Sequence, residues 1–100
     1  MTPSLDSQQR RALKQRAHYL KPVVLLGAAG LTEAVLAEIE LALSHHELIK
    51  VRVTGGDRDA RDTQVRTIVE ETDSALVQRS GNIAVLYREK PQASLSGDMG

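Results

Sequence analysis

The spacing of apolar residues changes several times along the chain, and each change marks an element. Leu5, Leu13, Ala17 and Leu20 fall on one side of a helical projection, which predicts a first helix over about Asp6 to Leu20. Ser4 or Asp6 can cap it and Pro22 stops it. Val23 to Leu26 does not alternate, which predicts a short strand buried on both faces. Val35, Leu36, Ile39, Ala42 and Leu43 form the stripe of a second helix, capped by Thr32 and reaching about His45. Glu47 to Thr54 alternates, so Ile49, Val51 and Val53 face a core while Leu48, Lys50 and Arg52 face the other way. Gly55 and Gly56 end that strand. Asp57 or Asp59 then caps a third helix reaching about Thr72, with Val65, Ile68 and Val69 inside and Asp62, Arg66 and Glu70 as an outer ladder. Ala75 to Arg79 and Ile83 to Arg88 are predicted strands, joined by Ser80, Gly81 and Asn82 as a hairpin.

The resulting order is α-β-α-β-α-β-β. Right-handed crossovers make the first three strands parallel and the fourth an antiparallel return, while strand order stays open. This is an α/β chain of α+β-like, two-layer character with a four-stranded mixed sheet. Residues 1–90 form the predicted domain. The Ser- and Gly-containing tail, 91–100, has little to bury and is expected to be disordered.

Composition narrows the chemistry. One hundred residues fit one domain, and with two tyrosines as the only aromatics the core must be built from Leu, Ile, Val and Ala. The absence of cysteine excludes disulfides, thiolate metal sites and a Cys nucleophile. Val23 to Leu26 is far too short a run for a membrane span, and the N-terminus lacks a long apolar stretch, so the expectation is a soluble cytoplasmic protein. His45 and His46 are adjacent and point apart on a helix. Asp57, Asp59 and Asp62 lack the later Gly and Glu of a calcium loop. These residues offer no metal site, no cofactor site and no catalytic group, which leaves an enzyme reading nothing to rest on without excluding it.

Thirteen basic residues balance thirteen acidic ones, so any case for nucleic acid rests on where the charges sit. Residues 7–31 hold five basic side chains and no acid. Arg10, Arg11, Lys14 and His18 share a flank of the first helix, with Lys21 in line if the helix extends that far. Three Gly-containing loops, Gly27 to Gly30, Thr54 to Arg58 and Ser80 to Asn82, would emerge at the C-terminal edge of the parallel strands, where ligands of open sheets bind. Arg58 and Arg61 would stand close by. If the first helix packs antiparallel to the first strand, Arg10, Arg11 and Lys14 lie level with the Gly27 loop. The pair Gly27 and Gly30 has two readings: a turn that needs glycine, or a loop whose bare backbone cradles phosphate. A P-loop is excluded because no Gly-Lys-Ser/Thr follows, and a dinucleotide fingerprint because Gly-x-Gly-x-x-Gly is absent.

The stretches AHYLKPVVLLGAAGLTEAVLAEIELAL, HHELIKVRV and VQRSGNIAVLYR closely resemble the bacterial YhbY-type proteins, which consist of a single CRM domain. The resemblance runs from about Leu5 to Arg88. It implies a mixed sheet similar to the C-terminal domain of bacterial initiation factor three, and RNA binding without catalysis. It further implies association with precursors of the large ribosomal subunit, hence a role in ribosome assembly. The family's G-x-x-G loop maps onto Gly27, Ala28, Ala29 and Gly30, and its basic helix positions onto Arg10 and Lys14. Relatives commonly carry a polar or basic residue inside the loop; here both inner positions are alanine. The combined expectation is an RNA-binding monomer using Gly27, Ala28, Ala29, Gly30, Arg10, Arg11, Lys14 and Lys21, with Arg58 and Arg61 further out. The alternative is a module that docks on a ribosomal protein or assembly factor through the Leu48, Lys50 and Arg52 face.

Overall fold

Side-chain caps set where each helix begins. In the computed structural model, which describes residues 5–27 and 29–89, Asp6 accepts from the Gln9 amide at 2.7 Å and starts α1 (Ser7–Ala17). Thr32 accepts from Val35 N at 3.2 Å and starts α2 (Glu33–His46). Asp57, not Asp59, accepts from Ala60 N at 2.8 Å and starts α3 (Arg58–Thr72). Each cap satisfies an amide that has no partner inside its helix. α1 ends at Ala17, short of the expected Leu20. Leu20 N then bonds Ala17 O at 3.0 Å in a tight turn that leads into Pro22. The expected disordered tail lies outside the described residues.

The strands are β1 (Pro22–Leu26), β2 (Leu48–Val53), β3 (Ala75–Ser80) and β4 (Ile83–Tyr87). They form one sheet in the order β1-β2-β4-β3. β2 runs parallel to β1, and β4 runs antiparallel to both β2 and β3. The expected directions hold, and pairing fixes the order that local patterns leave open. Gly81, at φ +55, supplies the positive φ that lets β3 return directly as β4.

Two crossovers of one hand explain the layers. β1 to β2 and β2 to β3 both step across the sheet in the same direction, so right-handed connections place α2 and α3 on the same face. That face holds the larger core, with Val24, Leu26, Ile39, Leu43, Ile49, Val51, Val53, Val65, Ile68, Ala84 and Leu86 buried together. α1 amends the two-layer picture by crossing the opposite face, where Leu13 and Ala17 pack on Leu48, Val77 and Val85.

α1 covers β2, β4 and β3 and leaves the edge strand bare. Val23 and Leu25 are consequently 52% and 61% exposed. The expectation that β1 is buried on both faces is therefore corrected. A non-alternating run on an edge strand buries one set of side chains and presents the other to solvent. Arg88 ties α2 to the end of α3 from beyond β4. It donates to Glu40 Oε2 at 2.6 Å, Ser44 Oγ at 3.1 Å and Thr72 O at 2.9 Å.

Candidate nucleic-acid interface

The three Gly-containing loops do meet at one edge. Thr54 Oγ1 donates to Leu26 O at 2.7 Å, which joins the second loop to the first. Val53 N donates to Asn82 O at 2.7 Å, which ties the end of β2, where the second loop starts, to the third. Parallel strands that end together force this convergence.

The Gly27 to Gly30 loop is a closed turn, with Gly30 N donating to Gly27 O at 2.9 Å. That amide is spent inside the turn, so the cradle expected of the loop's amides lacks it. The two glycines differ in what demands them. Gly30 has φ +75, and a Cβ there would lie 3.0 Å from Gln64 Nε2. Gly27 has no positive φ, and a Cβ there would meet nothing within 4 Å. The fold explains Gly30 and leaves Gly27 without a structural reason. Ala29 is exposed, and Ala28 lies outside the described residues.

Arg58 and Arg61 stand at the N-terminus of α3, beside this edge. Arg61 Nη1 donates to Gly56 O at 2.9 Å. Together with Asp62, Arg79 and Gly81 they line a cavity of about 340 Å³. Arg79 carries no local sequence signal of such a role. It reaches this cluster because β3 directs it toward α3, where it pairs with Asp62 at 2.6 Å. Asp62 thus turns to Arg79 and leaves the expected helical ladder.

The basic side chains of α1 go elsewhere. Arg10 Nη1 donates to the carbonyls of Leu76 and Val77, at the irregularity in β3. β3 is the sheet edge opposite β1, three strand spacings or about 14 Å away. At the other end of the helix, Arg16, Leu20 and Lys21 line a cavity with Val23 and Leu48. The helix therefore crosses the strands and does not run antiparallel to β1. The expected levelling of Arg10, Arg11 and Lys14 with the Gly27 loop is corrected on this point. Arg11, Lys14 and Lys21 are exposed, while Arg10 is partly buried and engaged.

The clearest electrostatic feature is segregation by layer. Among the described residues no carboxylate lies on α1 or on any strand, which carry Arg10, Arg11, Lys14, Arg16, Lys50, Arg52 and Arg79. α2 and α3 carry all the helical carboxylates, Glu33, Glu38, Glu40, Asp59, Asp62, Glu70 and Glu71, beside Arg58, Arg61 and Arg66 of α3. A chain of zero net charge thus presents an α1 side on which the charged residues of α1 and β2 are all basic. The alternation of β2 puts Lys50 and Arg52 on this side. Only the position of α1 reveals that Leu48 is covered and that these two are left at the surface. At the lower end of the same face burial raises the pKa of the Tyr87 phenol, reinforced by Glu47 and Glu89 and opposed by Arg16.

No helix among the described residues is long and apolar enough to cross a membrane. No group of three or more His, Asp or Glu among them could hold a metal ion.

Comparison with known proteins gives this geometry a family. Residues 5–88 match the CRS1 / YhbY (CRM) domain. The chain is 53% identical over 92 residues to an RNA-binding protein of Haemophilus influenzae, covering 92% of this chain and 93% of the relative. It is 42% identical over 89 residues to a probable RNA-binding protein of Pseudomonas aeruginosa, covering 89% and 86%. The solution structure of a hypothetical Staphylococcus aureus protein, proposed there to bind RNA, superposes with a TM-score of 0.77 at 34% identity, covering 90% of this chain and 94% of that one. The chain with this mixed sheet, converging Gly-containing edge and carboxylate-free α1 and strands belongs to the CRS1 / YhbY (CRM) domain family.

Proposed function

We propose that this domain binds RNA as a monomer without catalysing a reaction, and that its target is ribosomal RNA in precursors of the large subunit, during cytoplasmic ribosome assembly. The observation that carries the reading is the charge segregation. A polyanion approaching the α1 side meets Arg10, Arg11, Lys14, Arg16, Lys50 and Arg52 and no carboxylate on α1 or the strands, while Arg79 turns to the other face. Arg11, Lys14 and Lys21 supply exposed charge on this side. Gly27 and Ala29 offer bare backbone at the loop edge, and Arg58 and Arg61 extend the surface. The carboxylates of α2 and of the later turns of α3 lie on the opposite layer and limit indiscriminate adhesion. The names of the relatives point the same way. With Tyr19 as the one strongly exposed aromatic among the described residues, phosphate recognition and shape should outweigh base stacking.

The test is filter or gel binding to naked ribosomal RNA across salt, followed by co-sedimentation with large-subunit precursor particles. Salt-sensitive binding to the RNA is the expected result. No binding at low salt overturns it and favours docking on a ribosomal protein or assembly factor. That second reading draws on exposed Val23 and Leu25 on an edge strand. It no longer draws on Leu48, which α1 buries to 4% exposure.

A further inference from the structure

We propose that the pocket between α1 and the sheet, lined by Lys14, His18, Lys50, Gln78 and Ser80, is a phosphate-binding subsite for one nucleotide of a bound RNA strand. The inference rests on the RNA-binding reading and assigns it a second seat away from the glycine loop. The pocket measures about 220 Å³, and Ala17, Ile83 and Val85 complete its lining.

The sheet register explains how it forms. Lys50, Val85 and Gln78 are direct partners across β2, β4 and β3, so their side chains stand in one row on the α1 side. Two residues further along, Arg52, Ile83 and Ser80 make the next row. Lys14 and His18 stand one helical turn apart above these rows. Two ammonium groups, an imidazole, an amide and a hydroxyl therefore converge from three elements. None of the four elements that wall the pocket bears a carboxylate. An anion is the ligand such a set recognises, and the apolar lining suits the body of a nucleotide better than a hydrated free ion.

The second row also says how RNA reaches the pocket. Leu25 is the partner of Arg52, so Leu25, Arg52, Ile83 and Ser80 cross all four strands in one line. Gly27 lies two residues beyond Leu25. The line spans about 14 Å at the ordinary strand spacing, enough for two or three nucleotides. One strand can thus lie across the sheet from the Gly27 loop, over Arg52, with a phosphate in the pocket.

The test titrates isotope-labelled wild-type protein with uridine monophosphate, inorganic phosphate and a short single-stranded RNA, and follows the amides of Lys50, Gln78 and Ser80. The mononucleotide and the RNA are expected to shift these amides, with RNA displacing the mononucleotide. Shifts by inorganic phosphate that RNA does not compete away would assign the pocket to a free anion and overturn the proposal. Amides that stay still with every probe also overturn it. In parallel, Lys50→Gln with His18→Gln should weaken RNA binding about tenfold and lower the salt slope by about 0.7 for each phosphate that the variant leaves unneutralised. Full affinity in that variant, with wild-type protein binding RNA, overturns the pocket and leaves the broader reading standing. Wild-type protein that does not bind RNA at all fails the broader reading instead.

Discussion

Gly30 packs against Gln64 so closely that a methyl group at Gly30 would lie 3.0 Å from Gln64 Nε2, while a methyl at Gly27 would touch nothing. Two glycines of one motif therefore answer to different demands. Gly30→Ala should destabilise the fold by about 1–3 kcal/mol, because it combines a left-handed φ with a crowded neighbour. Gly27→Ala should shift stability by less than about 0.5 kcal/mol and yet weaken RNA binding severalfold. Urea denaturation beside RNA titration separates the two. Equal loss of stability at both positions would return the whole motif to turn geometry.

Arg88 is the tie between α2, α3 and β4, with its guanidinium donating to Glu40, Ser44 and Thr72. The ion pair with Glu40 is half exposed and contributes little by itself. The bond to Thr72 O at the end of α3 is better sheltered. Arg88→Ala should cost about 1–2 kcal/mol in urea denaturation. Arg88→Lys should recover less than half of that, because an ammonium cannot reproduce the guanidinium fork. Complete rescue by Lys would reduce the role of Arg88 to charge alone.

Local signals specify most of this fold without help from tertiary structure. Thr32 and Asp57 cap where helix-starting residues should, Ile49, Val51 and Val53 face inward by alternation, and the glycine after Ser80 turns the hairpin. The three-loop edge is legible because parallel strands necessarily end together. Three features are not. Strand order needs long-range pairing, since nothing in Ile83 to Tyr87 announces that it inserts between β2 and β3. The path of α1 depends on which strands it covers, and that decides both the exposure of Val23 and Leu25 and the capture of Arg10 by β3. The row through Leu25, Arg52, Ile83 and Ser80 combines residues from all four strands, so no sequence window contains it.

Tyr87 is expected to make the fold sensitive to alkali. Burial and the neighbouring Glu47 and Glu89 favour its neutral phenol, so the folded chain holds the proton more tightly than the unfolded one. The associated stability is complete below the ordinary tyrosine value of 10.0 and is lost as pH rises through the higher folded value. Urea midpoints should therefore fall between about pH 8 and about pH 11 in wild type, and fall less in Tyr87→Phe. Phenolate absorbance in a Tyr19→Phe background, where Tyr87 is the remaining tyrosine, should show its titration above the ordinary value. An identical midpoint loss in both proteins would move the alkaline sensitivity to other groups.

The basic flank of α1 divides into one structural arginine and an exposed group. Arg10 serves the carbonyls of Leu76 and Val77, so Arg10→Ala leaves acceptors at the edge of β3 without their donor. It should cost about 1–3 kcal/mol of stability, and any drop in RNA affinity in that variant mixes two effects. Arg11 and Lys14 are exposed. The informative variant is therefore Arg11→Gln with Lys14→Gln. It should unfold at the wild-type urea midpoint. Its slope of log affinity against log salt should fall by about 0.7 for each phosphate left unneutralised on a single strand, or about 0.9 on a duplex. The size of that step also reports which form of RNA lies on the α1 face. A slope that does not move, in a variant as stable as wild type, would take the RNA off this flank and leave the loop edge with Arg58 and Arg61 to hold it.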